Sequence, residues 1–217
     1  MAKFSVIIRA RNEERYIGHA IQSLSDNIRD EIELIIIDNN STDDTMRVVN
    51  LFEYFNPKII KIDGPDYSPG LSLNVGVRNS NNEKIIILSA HCQITSWSSS
   101  LVQKCFENNN TVAIFGKQKP VYFGKKITPR YLWSHFDDIE RKNYYSDLEK
   151  RYFLHNAFAV YKKSALEKYP FDDMLHGKED RYWANDIIKK GKNFIYTPDL
   201  SCFHYYTSNG NTWKGVG

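Results

Sequence analysis

Two adjacent polar residues, Asp38 and Asn39, follow directly on an apolar run in the stretch IIIDNNSTDDT. A carboxylate or an amide at the end of a buried strand can bond ribose hydroxyls or the edge of a base. Asp and Asn are also favoured in turns, where their side chains bond nearby backbone groups. The pair is therefore a candidate nucleotide contact, and on the local sequence alone turn formation is the preferred interpretation.

A second carboxylate, Asp180, lies in the stretch GKEDRYWANDIIKKG. Helical spacing places it on one face with four apolar residues: Trp183, Ala184, Ile187 and Ile188. The spacing thus predicts an inward-pointing carboxylate, which a helix N-terminus favours in its ionised form. A carboxylate so held is a candidate general base. An equally open alternative is a first-turn aspartate that caps the helix or pairs with Lys178 or Arg181.

The stretch KIIILSAHCQ brings His91 and Cys92 to the point where an apolar run ends. Imidazole and thiolate ligands suit zinc or another borderline metal, so His91 and the distant His204 are candidate ligands. For any single histidine, a satisfied structural role is the stronger interpretation.

A parallel sheet would position these side chains. Five short apolar runs predict strands: Phe4–Arg9, Glu33–Ile37, Ile59–Ile62, Ile85–Leu88 and Val112–Phe115. Helical patterns alternate with them, which predicts an α/β fold with a mostly parallel sheet covered on both faces. Ligands of such sheets bind at the carboxyl ends of the strands.

Helix starts are predicted at three places. Asn12 is expected to cap the first helix, and Ser41 with Asp44 to form a capping-box-like start to the second. Ser68 with Pro69 is expected to start the third. From Gly116 onward the pattern indicates loops and short pieces, followed by a helix over 179–190 and a late strand over 194–196.

Composition excludes several classes of protein. The chain has 217 residues, 25% of them charged, and a net charge of +3, too small to indicate nucleic-acid binding. No apolar run reaches the roughly 18 residues of a membrane span, and the first residues lack a signal-peptide cleavage site. The odd number of cysteines, 3, without CxxC spacing favours free thiols in a reducing compartment. Neither GxGxxG nor GxxxxGK[ST] is present, which argues against dinucleotide and P-loop enzymes.

Four stretches in order resemble glycosyltransferase family 2, inverting enzymes with the GT-A nucleotide-sugar fold. SVIIRARNEERYIGHAIQSL is similar to the opening strand and helix of the family, and ELIIIDNNSTDDT to its VDDxSxDxT motif. SLNVGVRNSNNEKIIILSAHC is similar to ARNxGxxxAxGxYIxFLDADD, and GKEDRYWANDIIKKG to GEDxxxxxRxxxxG. The resemblance implies one GT-A domain over 1–217, with a nucleotide-sugar-binding half over about 1–115 and an acceptor-binding half over about 116–217.

The resemblance also implies roles for individual residues. Asp38 and Asn39 fall on the motif that holds the nucleotide, and Asp180 falls on the catalytic base with Glu179 as its acidic neighbour. The remaining candidates for nucleotide binding are Arg9, Arg11, Asn12 and Ser89.

SAHC falls on DADD, the family's metal-binding carboxylates, so Ser89, His91 and Cys92 replace them. Mg²⁺ and Mn²⁺ prefer oxygen ligands. We expect His91 and His204 to bind a divalent metal beside the diphosphate oxygens. The rival expectation is a metal-free site in which cations neutralise the diphosphate: Arg9, Arg11, Lys117 or Arg181.

The expected activity is inverting transfer of a sugar from a nucleotide-sugar donor to a hydroxyl of a glycan or lipid-linked acceptor, in the synthesis of surface glycans. The alternative is a catalytically inactive nucleotide-sugar-binding module, because loss of the carboxylate pair would also mark a dead transferase. The expected location is the cytoplasm, with peripheral association at the inner face of the membrane.

Overall fold

The computed structural model describes residues 3–63, 67–122, 131–208 and Trp213. The strands are β1 (Lys3–Ala10), β2 (Glu31–Asp38), β3 (Lys58–Lys61), β4 (Lys84–Ser89), β5 (Cys92–Ser96), β6 (Thr111–Val121), β7 (Arg141–Lys142), β8 (Tyr145–Ser146), β9 (Arg151–Tyr152), β10 (Phe158–Lys162) and β11 (Asn193–Tyr205). The helices are α1 (Ile17–Asn27), α2 (Thr45–Asn50), α3 (Pro69–Arg78), α4 (Ser99–Glu107), α5 (Tyr131–Ser134), α6 (Lys163–Lys168) and α7 (Glu179–Lys189), with a 3-10 turn at Glu53–Phe55.

Within the described part of the chain, nine strands form one sheet in the order β3-β2-β1-β4-β10-β6-β11-β5, with β7 paired to β11. The first four strands of this order are parallel neighbours, as their unalternating apolar runs predict. β10 enters antiparallel between β4 and β6. The carboxyl ends of β1, β2 and β4 therefore meet at one edge, and strands from the second half complete the same sheet.

The central strands β1, β2 and β4 are buried on both faces because successive side chains enter opposite layers, whereas the edge strand β3 is largely exposed. Ile7 and Ile35 pack in the cluster that also holds Trp183, while Ile8 and Ile36 pack in the cluster on the other face. Full burial of each such side chain stabilises the fold by about 1.5–3 kcal/mol. These layers fix the strands, and thereby the edge where the strands end.

One of the three predicted helix starts is confirmed. The Ser68 hydroxyl accepts a hydrogen bond from Leu71 N at 3.0 Å, and Pro69 is the first residue of α3. The second helical residue, Gly70, lies so close to the neighbouring loop that a Cβ there would be 2.1 Å from the Asp172 carbonyl oxygen. A glycine is thus required for α3 to pack against the loop that leads to α7.

The cap predicted at Asn12 is wrong, because α1 begins at Ile17 and Asn12 has a φ of 54°. Its Oδ1 instead accepts a hydrogen bond from Thr42 N at 2.8 Å. A cross-link between the β1 and β2 ends thereby replaces the expected local cap.

The capping box predicted at Ser41 and Asp44 is also wrong. Thr45 N donates to Asp43 Oδ1 at 3.0 Å, and the side chain of Asp44 makes no capping bond. The Ser41 hydroxyl accepts from Asn12 N at 3.1 Å, so it also joins the two strand ends.

The second half contains longer strands than the sequence predicts. β6 continues through Val121, where loops were expected after Gly116, and β11 spans 13 residues. Both extensions are stabilised by pairing with each other over most of their length. The expected loop over 123–130 and much of the C-terminal tail lie outside the described residues. Among the helices that are described, none has the length and apolarity needed to cross a bilayer.

Candidate active site

A cavity of about 1330 Å³ opens at the carboxyl ends of β1, β2 and β4 and extends to the N-terminus of α7. Eight of the ten residues singled out from the sequence line it: Arg9, Arg11, Asn12, Asn39, Ser89, His91, Glu179 and Asp180. The other two, Asp38 and His204, are 2% and 1% exposed. Asp38 directly precedes Asn39 in the chain, and the His204 ring lies 5.0 Å from that of His91.

The strand-end side of this cavity is shaped by hydrogen bonds from backbone N–H groups. Asp38 Oδ1 accepts from Ser41 N at 3.1 Å, which closes the turn after β2. Asn39 N donates to the Ala10 carbonyl at 2.9 Å, which ties this turn to β1. Asn39 Oδ1 is buried and, among the described residues, has no hydrogen-bond partner. A buried amide oxygen that lines a cavity without a partner is available to a donor on a ligand.

Arg9, at the end of β1, connects the strand-end side of the cavity to α7. Its Nη1 lies 3.4 Å from Glu179 Oε1, but no acceptor in the described part of the chain bonds it with proper geometry. Burial opposes the charged form, yet Glu179 and other nearby groups outweigh it and hold the pKa of Arg9 above its usual value. The guanidinium thus retains a free donor for an anionic ligand.

Asp180 points inward, as its helical spacing predicts, and is 8% exposed in the first turn of α7. Its Oδ1 accepts from Arg181 N at 2.8 Å and its Oδ2 from Asn156 N at 3.2 Å. Burial raises the pKa of Asp180, although the Asn156 N–H and the guanidinium groups of Arg181 and Arg151 oppose the rise. A buried carboxylate with a raised pKa in a cavity is suited to accept a proton.

Three histidines lie close together beside the cavity, in two separate hydrogen-bonded groups. His91 Nδ1 bonds Glu13 Oε1 at 2.9 Å. His204 Nδ1 bonds Gln118 Oε1 at 2.8 Å, and Gln118 Nε2 bonds His155 Nδ1 at 2.9 Å. Nδ1 of His91 and Nδ1 of His204 are thus both engaged, and Nε2 is the remaining nitrogen of each ring.

The imidazoles of His91 and His204 would supply two of the ligands of a metal ion. The Nε2 of His204 is buried and has no partner in residues 3–63, 67–122, 131–208 or at Trp213. Burial, with His91 and His155 adding to it, lowers the pKa of His204 well below its usual value, so the ring is neutral. Glu13 orients His91 as carboxylates commonly orient metal-ligating imidazoles. No group of three or more His, Cys, Asp or Glu side chains in the described ranges is arranged to hold a metal, so further ligands would come from a bound diphosphate.

Cys92 is unsuited to the role of its counterpart in DADD. Its side chain is 1% exposed, and burial, together with the adjacent Cys202, raises its pKa well above the usual thiol value. A neutral thiol is a poor ligand. All three cysteines are free, as predicted.

Several residues of the site were not assigned a role from the sequence: Glu13, Gln118, His155, Asn156 and Tyr161. Each of them bonds a residue that no local sequence motif connects to it. Only the excess of polar residues at the predicted strand ends could have indicated Glu13.

Comparison with protein families gives one match: a family model described as glycosyl transferase family 2 matches residues 5–170. This range contains the strand-end side of the cavity and stops before α7. The base candidate therefore depends on the geometry above and on the motif resemblance.

One similar protein is the GalNAc(5)-diNAcBac-PP-undecaprenol beta-1,3-glucosyltransferase of Campylobacter jejuni, 28% identical over 200 residues. The alignment covers 89% of this chain and 62% of that protein. The chain thus spans less than two thirds of the length of this relative.

Two solved structures show the fold. Staphylococcus aureus TarS in complex with UDP-GlcNAc has a TM-score of 0.75 at 18% identity, over 98% of this chain and 61% of that one. The mannosyltransferase PcManGT of Pyrobaculum calidifontis, in complex with GDP-Man and Mn²⁺, has a TM-score of 0.68 at 18% identity, over 95% and 58%.

Proposed function

Because the chain belongs to glycosyl transferase family 2 and has the GT-A fold of such transferases, we propose that it transfers a sugar, with inversion, from a nucleotide-sugar donor to a hydroxyl acceptor. The observation that carries this proposal is the placement of buried Asp180 in the same cavity as the strand-end residues Arg9, Asn39 and Ser89. One side of the cavity offers nucleotide contacts and the other offers a base.

The donor would lie across the strand ends. Asn39, with its unpartnered Oδ1, is positioned for the base, and Asp38 shapes the turn beneath it. Arg11 and Asn12 line the same edge, and the free donor of Arg9 is suited to the diphosphate. We divide the domain accordingly, with residues 1–115 on the donor side and residues 116–217 on the acceptor side.

In the proposed reaction, Asp180 takes the proton of the acceptor hydroxyl. The acceptor oxygen attacks the anomeric carbon from the face opposite the diphosphate. The C–O bond to the diphosphate breaks in the same displacement, and the anomeric centre inverts. A positioned base contributes about 10²–10⁴ in rate. Glu179, paired with Arg9, supports the charge balance of the site.

A divalent metal would be held by Nε2 of His91 and Nε2 of His204, the ring nitrogens that Glu13 and Gln118 leave unengaged, together with oxygens of the sugar nucleotide. When bound, it would neutralise charge that develops on the diphosphate. The PcManGT structure, a complex with GDP-Man and Mn²⁺, supports this proposal by analogy of fold. Arg9, Arg11 and Arg181 line the cavity and supply the metal-free alternative.

The acceptor is proposed to be a glycan or a lipid-linked saccharide, because the C. jejuni relative is named for an undecaprenol-linked acceptor. Such an acceptor would bring the enzyme to the inner face of the membrane from the cytoplasm.

A thermal-shift panel of nucleotides and sugar nucleotides, each with Mn²⁺ and with EDTA, tests the proposal. A ligand at 100 times its Kd stabilises the fold by about 2.7 kcal/mol, which raises Tm by about 5–10 °C for a chain of this size. The best donor is then assayed for transfer and hydrolysis. Binding without turnover would identify an inactive nucleotide-sugar-binding module, and no stabilisation by any sugar nucleotide would reject the donor class.

A further inference from the structure

Asn156 contacts both acids of α7 with two different groups. It is 3% exposed and lies two residues before the start of β10. Its backbone N donates to Asp180 Oδ2 at 3.2 Å, and its side-chain Nδ2 makes a longer contact of 3.5 Å with Glu179 Oε1. One residue therefore contacts two consecutive carboxylates, although no motif in the sequence marks it.

The orientation of the Asn156 amide is determined by its neighbours. The Glu179 carboxylate, paired with Arg9, can only accept, so Nδ2 must face it. Oδ1 then faces the Tyr161 hydroxyl, which donates to it at 2.5 Å. Burial raises the pKa of Tyr161 well above its usual value, with Asp180 and Glu179 adding to the effect, so the hydroxyl keeps its proton. The network has a single direction, from Tyr161 through Asn156 to Glu179.

The residues on either side of Asn156 reach other parts of the same cavity. The Ala157 carbonyl accepts from Ser89 N at 2.9 Å, at the end of β4. His155 bonds Gln118, which in turn bonds His204. A displacement of Asn156 would therefore be transmitted to the strand-end side as well as to the base.

We propose that Asn156, anchored by Tyr161, is a positioning residue that holds Asp180 toward the acceptor and Glu179 against Arg9. The proposal rests on the proposed transferase function. A purely structural asparagine would affect folding, whereas a positioning residue sets turnover and the protonation of the base. These consequences can be measured separately.

The decisive variant is Asn156→Asp, which keeps the shape of the side chain but replaces its hydrogen-bonding amide with a carboxylate. The charged and titratable groups that already face Asp180 come from four elements: Arg9, Arg151, Tyr161, Glu179 and Arg181. An added negative charge disfavours ionised Asp180 and raises its pKa. The acid limb of kcat should move to higher pH, and kcat at neutral pH should fall by about 10², while the Kd of the sugar nucleotide stays unchanged.

A matched control is Asn74→Asp. Asn74 is also buried, and its Nδ2 donates to the carboxylate of Asp173 at 2.5 Å, but it does not line the cavity. This variant should lose stability and keep the wild-type pH profile and kcat. Equal changes in both variants would show a general effect of buried charge and would overturn the proposal.

Tyr161→Phe provides a neutral test if Asn156→Asp does not fold. It leaves Asn156 Oδ1 without the hydrogen bond from the Tyr161 hydroxyl. As a result, kcat should fall by about tenfold while the affinity for the sugar nucleotide is retained. In both variants the carboxyl carbon of Asp180 is titrated by ¹³C NMR, which requires no activity. Wild-type kcat and pH profile in a folded variant would overturn the proposal. A shifted Asp180 pKa in Tyr161→Phe, which adds no charge, in a protein that transfers no sugar, would support the positioning network and overturn the proposed function.

Discussion

The two sides of the cavity are built from different interactions. At the strand ends, Asp38, Ser41 and Asn12 are connected through hydrogen bonds to backbone N–H groups. At α7, Asp180 and Glu179 lie buried among guanidinium groups, with Arg9 as the ion-pair partner of Glu179. The turns at the ends of β1 and β2 are therefore defined by backbone hydrogen bonds, and the α7 side by buried charge.

This difference predicts different consequences of substitution. A change at the strand ends alters the shape of a turn and should affect ligand affinity. A change at α7 alters a buried charge, which affects the protonation of the base and the free energy of folding. The following experiments test this contrast between affinity and turnover.

The largest effect is expected from Asp180→Asn, which keeps the shape of the side chain and removes its basicity. Turnover should fall by about 10²–10⁴, because acceptor deprotonation loses its base. Affinity for the sugar nucleotide, measured by calorimetry, should stay near wild type. Glu179→Gln is the matched control and should cost less, since Glu179 has a supporting role. Normal turnover of Asp180→Asn would refute the assignment of the base.

An intermediate effect is expected from Glu13→Gln, which weakens the acceptor that orients His91. Mn²⁺ affinity in the presence of nucleoside diphosphate should fall by about 10–100-fold, as for other partners of metal-ligating histidines. His91→Ala should abolish the response of activity to chelator and added Mn²⁺. Full wild-type activity in EDTA would favour the cationic alternative.

A smaller effect is expected from Asp38→Ala, which removes the acceptor for Ser41 N. Nucleotide affinity should fall by about tenfold and turnover at saturation should stay near wild type, because one hydrogen bond is worth about 1 kcal/mol. Asp44→Ala is the control, since Asp44 is exposed and pairs only loosely with Arg47 at 3.8 Å. If calorimetry gives wild-type affinity for Asp38→Ala, the nucleotide binds elsewhere.

The smallest effect concerns stability and should have opposite signs on the two sides. Burial raises the pKa of Asp180, so folding favours its protonated form. Its contribution to stability is complete below the pKa of the unfolded chain and is lost as pH rises through the folded pKa. At pH 7, Asp180→Asn should therefore have a higher Tm and Asp38→Ala a lower one. For a chain of this size, each kcal/mol of change in the free energy of unfolding shifts Tm by about 2–4 °C. A lower Tm for Asp180→Asn would show that its guanidinium partners outweigh its burial.

Local patterns predicted the parts of the fold that local physics determines. The apolar runs of β1, β2 and β4 predicted buried parallel strands, because both faces of such strands need apolar residues. Helical spacing alone placed Asp180 inward on α7. Ser68 and Pro69 marked the start of α3, since both act within one turn.

The missed features depend on distant partners. Asn12 and Ser41 were predicted to cap the helices that follow them. Instead, the side chain of each accepts a hydrogen bond from the turn after the neighbouring strand. β6 and β11 were predicted too short because their extensions are stabilised by mutual pairing. Asn156 carries no signal at all, since its three partners come from Tyr161 and from α7.

Gly70 bears on how a saturation mutagenesis screen of this protein would be interpreted. Any side chain there would collide with the Asp172 carbonyl, in the loop that leads to α7 and its base. Scored by activity, Gly70 would be as intolerant as the residues that line the cavity, although it touches no ligand position. A second score, the amount of folded protein, would distinguish Gly70 from Asp180. Substitutions of Gly70 should lower this amount, whereas Asp180→Asn should not. Tolerance maps of this fold therefore need both scores before an intolerant position is assigned to catalysis.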